Sequence, residues 1–249
     1  MSGGDVPIRL EHLSKSFGSL RVLDDVSLAV DAGQATVVLG RSGTGKSVLL
    51  KHVVGLLRPD TGRVLVYGAD VASLDPPALT ATRRQIGFLF QHAALFDSLT
   101  VGANVEFPLV RHSDLAPEEI RARAREKLAL VGLEEAHDRM PAALSGGMRK
   151  RAGLARAMAL DPPILLVDEP SAGLDPITSK EVDDLLLRVK REQGTTLIAV
   201  THNIPSARRI GDMLVFLHEG RVLARGTAAV LDGHDEPIVR QFMRSEAGG

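Results

Sequence analysis

A glycine-rich run at residues 40–47, GRSGTGKS, has the spacing needed to enclose a phosphate group. Its glycines allow backbone N–H groups to curl around the anion, and the helix expected after the run adds the positive end of its dipole. Lys46 is predicted to reach β- and γ-phosphates, and Ser47 to be a ligand of Mg²⁺. The predicted nucleotide contacts of this loop are Gly40, Arg41, Ser42, Gly43, Thr44, Gly45, Lys46, Ser47 and Val48.

Three further polar residues follow two apolar runs that are typical of buried strands. Asp168 and Glu169 follow ILLV, and His202 follows TLIAVT. Ligands bind at the carboxyl edge of a parallel sheet, so we expect all three residues beside the phosphate loop. Asp168 is predicted to help hold the metal, and Glu169 to polarise the attacking water. His202 is either structural or a γ-phosphate contact, and its place at the end of a core strand favours the contact.

Two more segments combine residue types that suit a phosphate. Gln91 ends the apolar run IGFLFQ where a helical pattern begins, which suggests a sensor of Mg²⁺ and γ-phosphate at a hinge, or else a plain boundary glutamine. Ser145, Gly146 and Gly147 open an Ala-rich helix. A hydroxyl, two bare backbones and a helix N-terminus could form a second phosphate-binding device. The alternative for this stretch is an ordinary helix cap.

The elements that must position these residues alternate between strand and helix. Residues 8–30 predict two or three strands, with turns at Phe17–Ser19 and Asp24–Asp25. ATVVLG, before the phosphate loop, is apolar throughout and suits a sheet buried on both faces. Residues 92–160 have a helical pattern, in which Pro117 begins one helix and Gly132 ends it. Strand–helix alternation resumes after residue 160, and its last part predicts a hairpin around Glu219–Gly220.

These patterns predict an α/β fold with a P-loop NTPase core. The core has a mainly parallel sheet, an antiparallel β subdomain and an inserted helical subdomain. The predicted segments are a first part of the core with the antiparallel layer (1–91), the helical subdomain (92–160), a second part of the core (161–235) and a C-terminal tail (236–249).

Composition excludes several classes of function. Lys and Arg (30) nearly balance Asp and Glu (31), which argues against binding to nucleic acid by bulk charge. Aromatic residues make up 3% of the chain, so a base-stacking platform is not expected. The absence of cysteine removes disulfides and Cys-ligated metal centres. No apolar run approaches the roughly 18 residues of a membrane span, so we expect a cytosolic chain that reaches a membrane through a partner.

Taken in chain order, the motifs resemble those of the ATPase subunit of an ABC transporter over nearly the whole chain. GRSGTGKS is similar to the Walker A motif, Gln91 to the Q-loop, LSGGM to the signature and ILLVDE to Walker B; AGLD, ending at Asp175, is similar to the D-loop, and His202 to the switch histidine. The resemblance implies ATP and Mg²⁺ as cofactors. It implies Glu169, His202 and Lys46 as catalytic residues, and Ser47, Gln91 and Asp168 as metal ligands.

The same resemblance implies two further ATP contacts, Asp175 in the D-loop and Phe17 stacked on adenine. The family more often has Tyr at the second position, and a core Phe is the alternative there. In this family two subunits pack head to tail, so Ser145, Gly146 and Gly147 would close on the ATP of a partner chain. Met148 departs from the usual Gln after the two glycines, which implies altered local packing with hydrolysis retained.

Three segments resemble most the ATPases of MCE-type phospholipid transport systems, the Mla-like group: residues 88–109, residues 144–162 and residues 168–178. The tail DEPIVRQFMRS also resembles the C-terminal end of that group. That resemblance implies a homodimer on the cytoplasmic face of the inner membrane. It also implies an integral membrane permease dimer and an MCE-domain lipid-binding protein as partners.

Three alternatives remain at this point. An importer ATPase for a small polar solute, such as an amino acid, would share every core motif. A non-transport ABC protein acting on DNA or ribosomes would have a coiled-coil insertion or a second cassette, and this chain has neither. A phosphate-loop GTPase would have an N-K-x-D motif, but the two asparagines, Asn104 and Asn203, are not followed by Lys.

Overall fold

Two β-sheets form the framework of the protein, in a computed structural model that describes residues 6–245. Residues 1–5 of the predicted first segment and residues 246–249 of the predicted tail lie outside this range. The ten strands in the described range are β1 (Ile8–Phe17), β2 (Leu20–Val30), β3 (Ala35–Leu39), β4 (Thr61–Val66), β5 (Ala69–Asp70), β6 (Ile86–Leu89), β7 (Ile164–Asp168), β8 (Thr196–Thr201), β9 (Met213–His218) and β10 (Arg221–Gly226).

Nine α-helices occur in the same range, besides three short 3₁₀ turns. They are α1 (Lys46–Val53), α2 (Pro76–Arg84), α3 (Val101–His112), α4 (Pro117–Leu130), α5 (Gly146–Ala157), α6 (Pro176–Gln193), α7 (Ile204–Ile210), α8 (Ala228–Asp232) and α9 (Pro237–Arg244). No helix in residues 6–245 is long and apolar enough to cross a membrane.

The larger sheet has the strand order β10-β9-β3-β8-β7-β6. Its strands are parallel except β10, which pairs with β9 as an antiparallel hairpin. Every residue of β3, β7 and β8 is buried, as expected for a sheet covered on both faces. Side chains of β7 alternate between two cores: Ile164 and Leu166 lie in one, and Leu165 and Val167 lie in the other. The parallel sheet and the predicted hairpin are therefore confirmed.

The smaller sheet, β2-β1-β4-β5, is antiparallel throughout. Its buried face shares a core with α1 and with one face of the larger sheet. The predicted turn at Asp24–Asp25 is wrong, because β2 runs through both residues. Leu13 pairs with Val26 and Lys15 with Leu23, so a β-bulge absorbs one extra residue of β2. Asp25 takes the left-handed conformation (φ 56°) at this bulge.

Helices α3, α4 and α5 pack together beside the larger sheet and share the core of its other face. The helix predicted from Pro117 is confirmed: Ile120, Ala124 and Leu128 form its buried face, and Gly132 follows it with φ 66°. Arg123 and Lys127 of α4 form ion pairs with Asp161, which lies in the connection between α5 and β7. These ion pairs tie α4 to the segment just before β7.

Candidate active site

The loop between β3 and α1 has the backbone that a phosphate-binding loop needs. Gly45 immediately precedes α1 with φ 96°, a conformation that residues with a Cβ rarely adopt. A Cβ at Gly40 would lie 2.4 Å from the Leu217 carbonyl oxygen, and one at Gly45 would lie 2.7 Å from the Val22 carbonyl oxygen. The loop is thus wedged against β9 and β2, which explains glycine at both positions.

Lys46 lies inside the curve of this loop. Its Nζ donates to the carbonyl oxygens of Gly40, at 2.8 Å, and Arg41, at 3.0 Å. The side chain is 5% exposed, and burial lowers the pKa of its ammonium, while Glu169, 3.6 Å away, opposes that shift. The ammonium is therefore desolvated, hydrogen-bonded at short distance to two neutral carbonyls and more distantly paired with Glu169, and it is available to a phosphate.

Ser47 and Asp168 form the second contact of the site. The Ser47 hydroxyl donates to Asp168 Oδ1 at 2.8 Å, which joins the start of α1 to the end of β7. Burial raises the pKa of Asp168, and the neighbouring Glu169 acts in the same direction. Two carboxylates buried side by side with a hydroxyl are hard oxygen donors that gain from a divalent cation. The residues therefore fit Mg²⁺.

Glu169 is held in one orientation by residues at the end of β8. Its Oε2 accepts from the Thr201 hydroxyl at 3.0 Å, and its Oε1 lies 3.0 Å from His202 Nδ1. The backbone of Glu169 is left-handed, with φ 47°, and its N–H donates to the Val200 carbonyl oxygen. The carboxylate is 9% exposed, whereas the imidazole of His202 is about half exposed, at 49%.

A cavity of about 360 Å³ brings together most of the residues predicted from the sequence. Phe17 is 47% exposed at its rim, so the alternative of a core phenylalanine is wrong. Thr44 and Arg41 lie in the loop beside it, joined by a 2.9 Å hydrogen bond from the Thr44 hydroxyl to the Arg41 carbonyl oxygen. The residues that line the cavity are Phe17, Val22, Ser42, Gly43, Gly45, Lys46, Ser47, Val48, Gln91, Glu169 and His202.

The predicted signature residues do not line this cavity. Ser145 precedes α5, and its hydroxyl accepts from the Met148 N–H as an N-cap. A Cβ on Gly147 would lie 2.4 Å from Thr178 Cγ2, so this segment packs on the start of α6. The signature and the phosphate loop are therefore not brought together within one chain.

Asp175 has another role in this structure. Its carboxylate caps α6, accepting from the backbone N–H groups of Ile177 and Thr178 and from the Thr178 hydroxyl at 2.6 Å. These hydrogen bonds, with that of the Thr178 hydroxyl the largest cause, lower the pKa of Asp175. Its predicted contact with ATP stays a prediction, since the carboxylate already has three donors.

Sequence reasoning missed two cations on α5, the buried Lys150 and the half-buried Arg156. Lys150 donates to the carbonyl oxygens of Gln91 and Glu169, and Arg156 donates to those of Ala93 and Ala94. The run MRKR is typical of a solvated basic face, so its composition gives no sign that Lys150 is buried. The signal that could have found it is helical spacing, since Gly147, Lys150 and Leu154 share one buried face.

A comparison with protein families matches residues 23–172 to the model described as "ABC transporter". Among curated proteins, the "Probable ribonucleotide transport ATP-binding protein mkl" of Mycobacterium tuberculosis is 44% identical over 244 residues, which cover 98% of this chain and 68% of that protein. The "Methionine import ATP-binding protein MetN" of Bradyrhizobium diazoefficiens is 39% identical over 248 residues, covering 97% of this chain and 71% of that protein.

Solved structures agree with this result. The ATP-binding cassette MJ0796, a dimer in a post-hydrolysis state bound to ADP and Pi, superposes with a TM-score of 0.82 at 35% identity, covering 88% of this chain and 98% of that one. The cbiO1 protein of Clostridium perfringens, part of the transporter complex cbiONQ, gives a TM-score of 0.81 at 29% identity, covering 95% of this chain and 98% of that one.

Proposed function

Because this chain belongs to the ABC transporter family of ATP-hydrolysing cassettes, we propose that it powers a membrane permease that moves phospholipid. The observation that carries the hydrolytic part is the cavity described above. It places an ammonium, a hydroxyl beside a buried carboxylate, and a fixed second carboxylate around a space of about 360 Å³. These are the groups that phosphoryl transfer to water requires.

Each group has a separate task in the proposed reaction. Lys46 exchanges its two carbonyl partners for the β- and γ-phosphate oxygens of ATP. Glu169 orients the attacking water and accepts its proton, since its carboxylate is fixed by Thr201 and His202. His202 faces the cavity and contacts the γ-phosphate. Ser47, Gln91 and Asp168 are the residues that would hold Mg²⁺, which neutralises phosphate charge when bound.

An apolar groove beside Gln91 supports the permease as partner. This groove of about 480 Å³ lies between β6, the segment after it and α3, and four of its lining residues are phenylalanines: Phe88, Phe90, Phe96 and Phe107. The rings of Phe96 and Phe107 contact each other in a tilted arrangement, with centroids 4.8 Å apart, yet both side chains are at least 40% exposed. Exposed aromatic side chains in a groove mark a surface for a partner. We assign it to a cytoplasmic segment of the permease, at the inner face of the membrane.

The position of the signature residues supports a dimer. ABC cassettes dimerise, and the solved relative MJ0796 is described as a dimer. In this chain the signature residues lie outside the cavity of their own chain. We therefore propose that Ser145, Gly146 and Gly147 of one copy close on the γ-phosphate held by the other copy, and that Asp175 lies at the same junction.

Phospholipid as the transported molecule is the finer part of the proposal. Its support is the resemblance of residues 88–109 and 144–162 to the ATPases of MCE-type systems. The curated relatives are named for other functions, probable ribonucleotide transport for the protein at 44% identity and methionine import for the protein at 39%. An importer of a small polar solute such as methionine is therefore the second candidate.

The partner protein separates the two candidates. The chain would be tagged and purified from its own cell in mild detergent, together with the proteins of its complex. Phospholipid transport predicts an integral permease plus an MCE-domain protein, and ATP hydrolysis coupled to movement of a fluorescent phosphatidylethanolamine between vesicles. A soluble solute-binding protein in that complex, with hydrolysis stimulated by methionine, would contradict the lipid assignment and support the importer.

A further inference from the structure

Lys150 joins the signature helix to two other motifs through main-chain contacts. Its Nζ donates to the Glu169 carbonyl oxygen at 2.8 Å and also to the Gln91 carbonyl oxygen. The side chain is 5% exposed, and a buried ammonium is costly unless it is paired and hydrogen-bonded. We infer that Lys150 is a positioning residue for ATP hydrolysis, which fixes Glu169 and Gln91 relative to the signature helix.

The contact with Glu169 acts on a strained piece of backbone. Glu169 is left-handed, with φ 47°, and such a conformation persists only where the surrounding structure fixes it. Its N–H is fixed by the Val200 carbonyl oxygen, and its own carbonyl is fixed by Lys150. Without the ammonium, this carbonyl would keep only the longer hydrogen bond from the Ala172 N–H, at 3.3 Å, and the peptide would be held less firmly. The carboxylate would then leave the orientation that water activation needs.

The contact with Gln91 acts on the segment between the core and the helical subdomain. Ala93 and Ala94 in that segment are also left-handed, and Arg156 of α5 donates to both of their carbonyl oxygens at 2.7 Å. Arg156 thus fastens α5 to this segment, and Lys150 adds the link to Glu169. Burial lowers the pKa of the Lys150 ammonium, and the carboxylates of Asp168 and Glu169 oppose that shift.

Helix α5 carries this link to the signature. Lys150 is five residues after Ser145, a distance of about 7.5 Å along a rigid helix. A shift of α5 that moves Ser145 therefore moves the ammonium away from, or towards, the two carbonyls. We conclude that Lys150 makes the geometry of Glu169 depend on the position of the helical subdomain. This inference rests on the proposed role of Glu169 in hydrolysis.

The test compares three variants of the full chain by steady-state hydrolysis of MgATP and by binding of a fluorescent ATP analogue. Lys150→Met has a similar length but no donors, and a misplacement on the order of 1 Å costs about 10²-fold in rate, so kcat should fall by about 10- to 100-fold. KM and nucleotide affinity should change little, because the phosphate loop is untouched. Lys150→Arg keeps the charge and several donors and should recover most of the rate.

Arg151→Met is the matched control. Arg151 is the next residue of the same helix and also donates to a main-chain carbonyl, that of Val131, but this contact stays within the helical subdomain. We expect it to keep the wild-type kcat. Equal losses of kcat in Lys150→Met and Arg151→Met, with equal losses of stability in urea, would overturn the inference in favour of general packing.

Glu169→Gln in the same assay separates this inference from the proposed function. If Glu169→Gln hydrolyses ATP at the wild-type rate, the proposed catalytic site is wrong. If Glu169→Gln is inactive while Lys150→Met is fully active, the site stands and the positioning role of Lys150 is wrong. Should Lys150→Met fail to fold, Lys150→Gln replaces it, since its amide satisfies one carbonyl but is too short to bridge two. A wild-type kcat for Lys150→Gln would equally overturn the inference.

Discussion

At the scale of single residues, Glu169 has three features that suit a catalytic carboxylate: its side chain is buried, its backbone is left-handed and its orientation is fixed. Glu169→Gln keeps the size of the side chain and an oxygen that accepts from Thr201, so the fold and ATP binding should persist. Loss of a general base costs about 10²–10⁴ in rate. We expect hydrolysis to fall by that factor and the ATP-bound dimer to accumulate, as measured by phosphate release and by light scattering. A wild-type rate would show that another group is the base.

Gln91 is expected to matter for coupling more than for affinity. Its side chain lines the cavity, and its carbonyl accepts from Lys150 through the main chain, which a side-chain substitution preserves. Gln91→Ala should leave ATP affinity almost unchanged, because Lys46 and the loop amides make most phosphate contacts. Stimulation of hydrolysis by the permease should be reduced, as measured in the purified complex with and without the permease. A large loss of affinity with stimulation intact would contradict the hinge role.

Residues of the cavity could be predicted from the sequence because their types and order follow from phosphate chemistry. The cavity forms where two strand ends meet the start of a helix, and this is where Lys46, Ser47, Glu169 and His202 lie. The order of strands, loops and helices in the sequence is enough to predict that position. Lys150 could not be predicted in this way. Its role depends on its burial and on hydrogen bonds to two main-chain carbonyls. Any residue type can supply a main-chain carbonyl, so the sequence does not reveal such contacts.

At the scale of elements, the contact between α5 and α6 explains a glycine of the signature. Gly147→Ala would put a methyl group 2.4 Å from Thr178 Cγ2. Such overpacking costs about 1–3 kcal/mol, while the better helix propensity of alanine returns at most about 1 kcal/mol. We therefore expect a net loss of stability in urea denaturation.

Thr178→Ser, added to Gly147→Ala, removes the clashing methyl and keeps the hydroxyl that donates to Asp175. Stability should recover in this double variant. Hydrolysis should stay low, because a bare backbone must approach the phosphate of the partner site. Thr178→Ser alone is the control and should resemble the wild type. Recovery of both stability and hydrolysis would mean that Gly147 serves packing alone.

A buried carboxyl between α6 and α7 should make stability depend on pH. Asp183 is 3% exposed, accepts from the Ser206 hydroxyl at 2.5 Å, and has its pKa raised by burial to about 6. The ordinary value is 3.8, so between roughly pH 4 and 6 the native state keeps a proton that the unfolded state has released. Stability therefore falls as pH rises through this window and is constant above it as far as this group is concerned.

Asp183→Asn removes this titration, so the free energy of unfolding of the wild type should fall relative to the variant by up to about 3 kcal/mol across the window. Urea denaturation at a series of pH values measures the difference. Asp184→Asn is the matched control, because Asp184 is half exposed and pairs with Arg209 on the surface. Parallel pH profiles for the wild type and Asp183→Asn would contradict the assigned pKa.

Helices and strands followed the predicted pattern where hydrophobic periodicity was strong, as in α4 and β7. The bulge at Asp24–Asp25 did not, because two adjacent aspartates favour a turn in isolation, and only pairing with β1 keeps them in a strand. The position of β3 between β8 and β9 could also not be predicted from the sequence. Strand order depends on which apolar runs pair with each other, and the runs are too similar in composition to tell their partners apart.

At the scale of the whole molecule, the phosphate loop and the signature lie apart in one chain, which predicts that an intact site needs two chains. Lys46→Ala on one chain removes the charge from the β/γ-phosphate position. Ser145→Arg on the other places a cation at the N-terminus of α5, where the helix dipole disfavours it. If the motifs act across the interface, the mixed dimer has one doubly damaged site and one intact site. The mixture should then hydrolyse ATP faster than either variant alone.

A forced heterodimer decides between action across the interface and action within one chain. Both substitutions are placed on one chain, which is paired with a wild-type chain through a linker. Action across the interface damages both sites of this pair, so hydrolysis should be nearly abolished. Action within one chain leaves the wild-type chain intact and predicts about half of the wild-type activity if the sites are independent. Half activity would therefore refute the proposed partner contact of Ser145 and leave that residue with the role it already has in the single chain, the N-cap of α5.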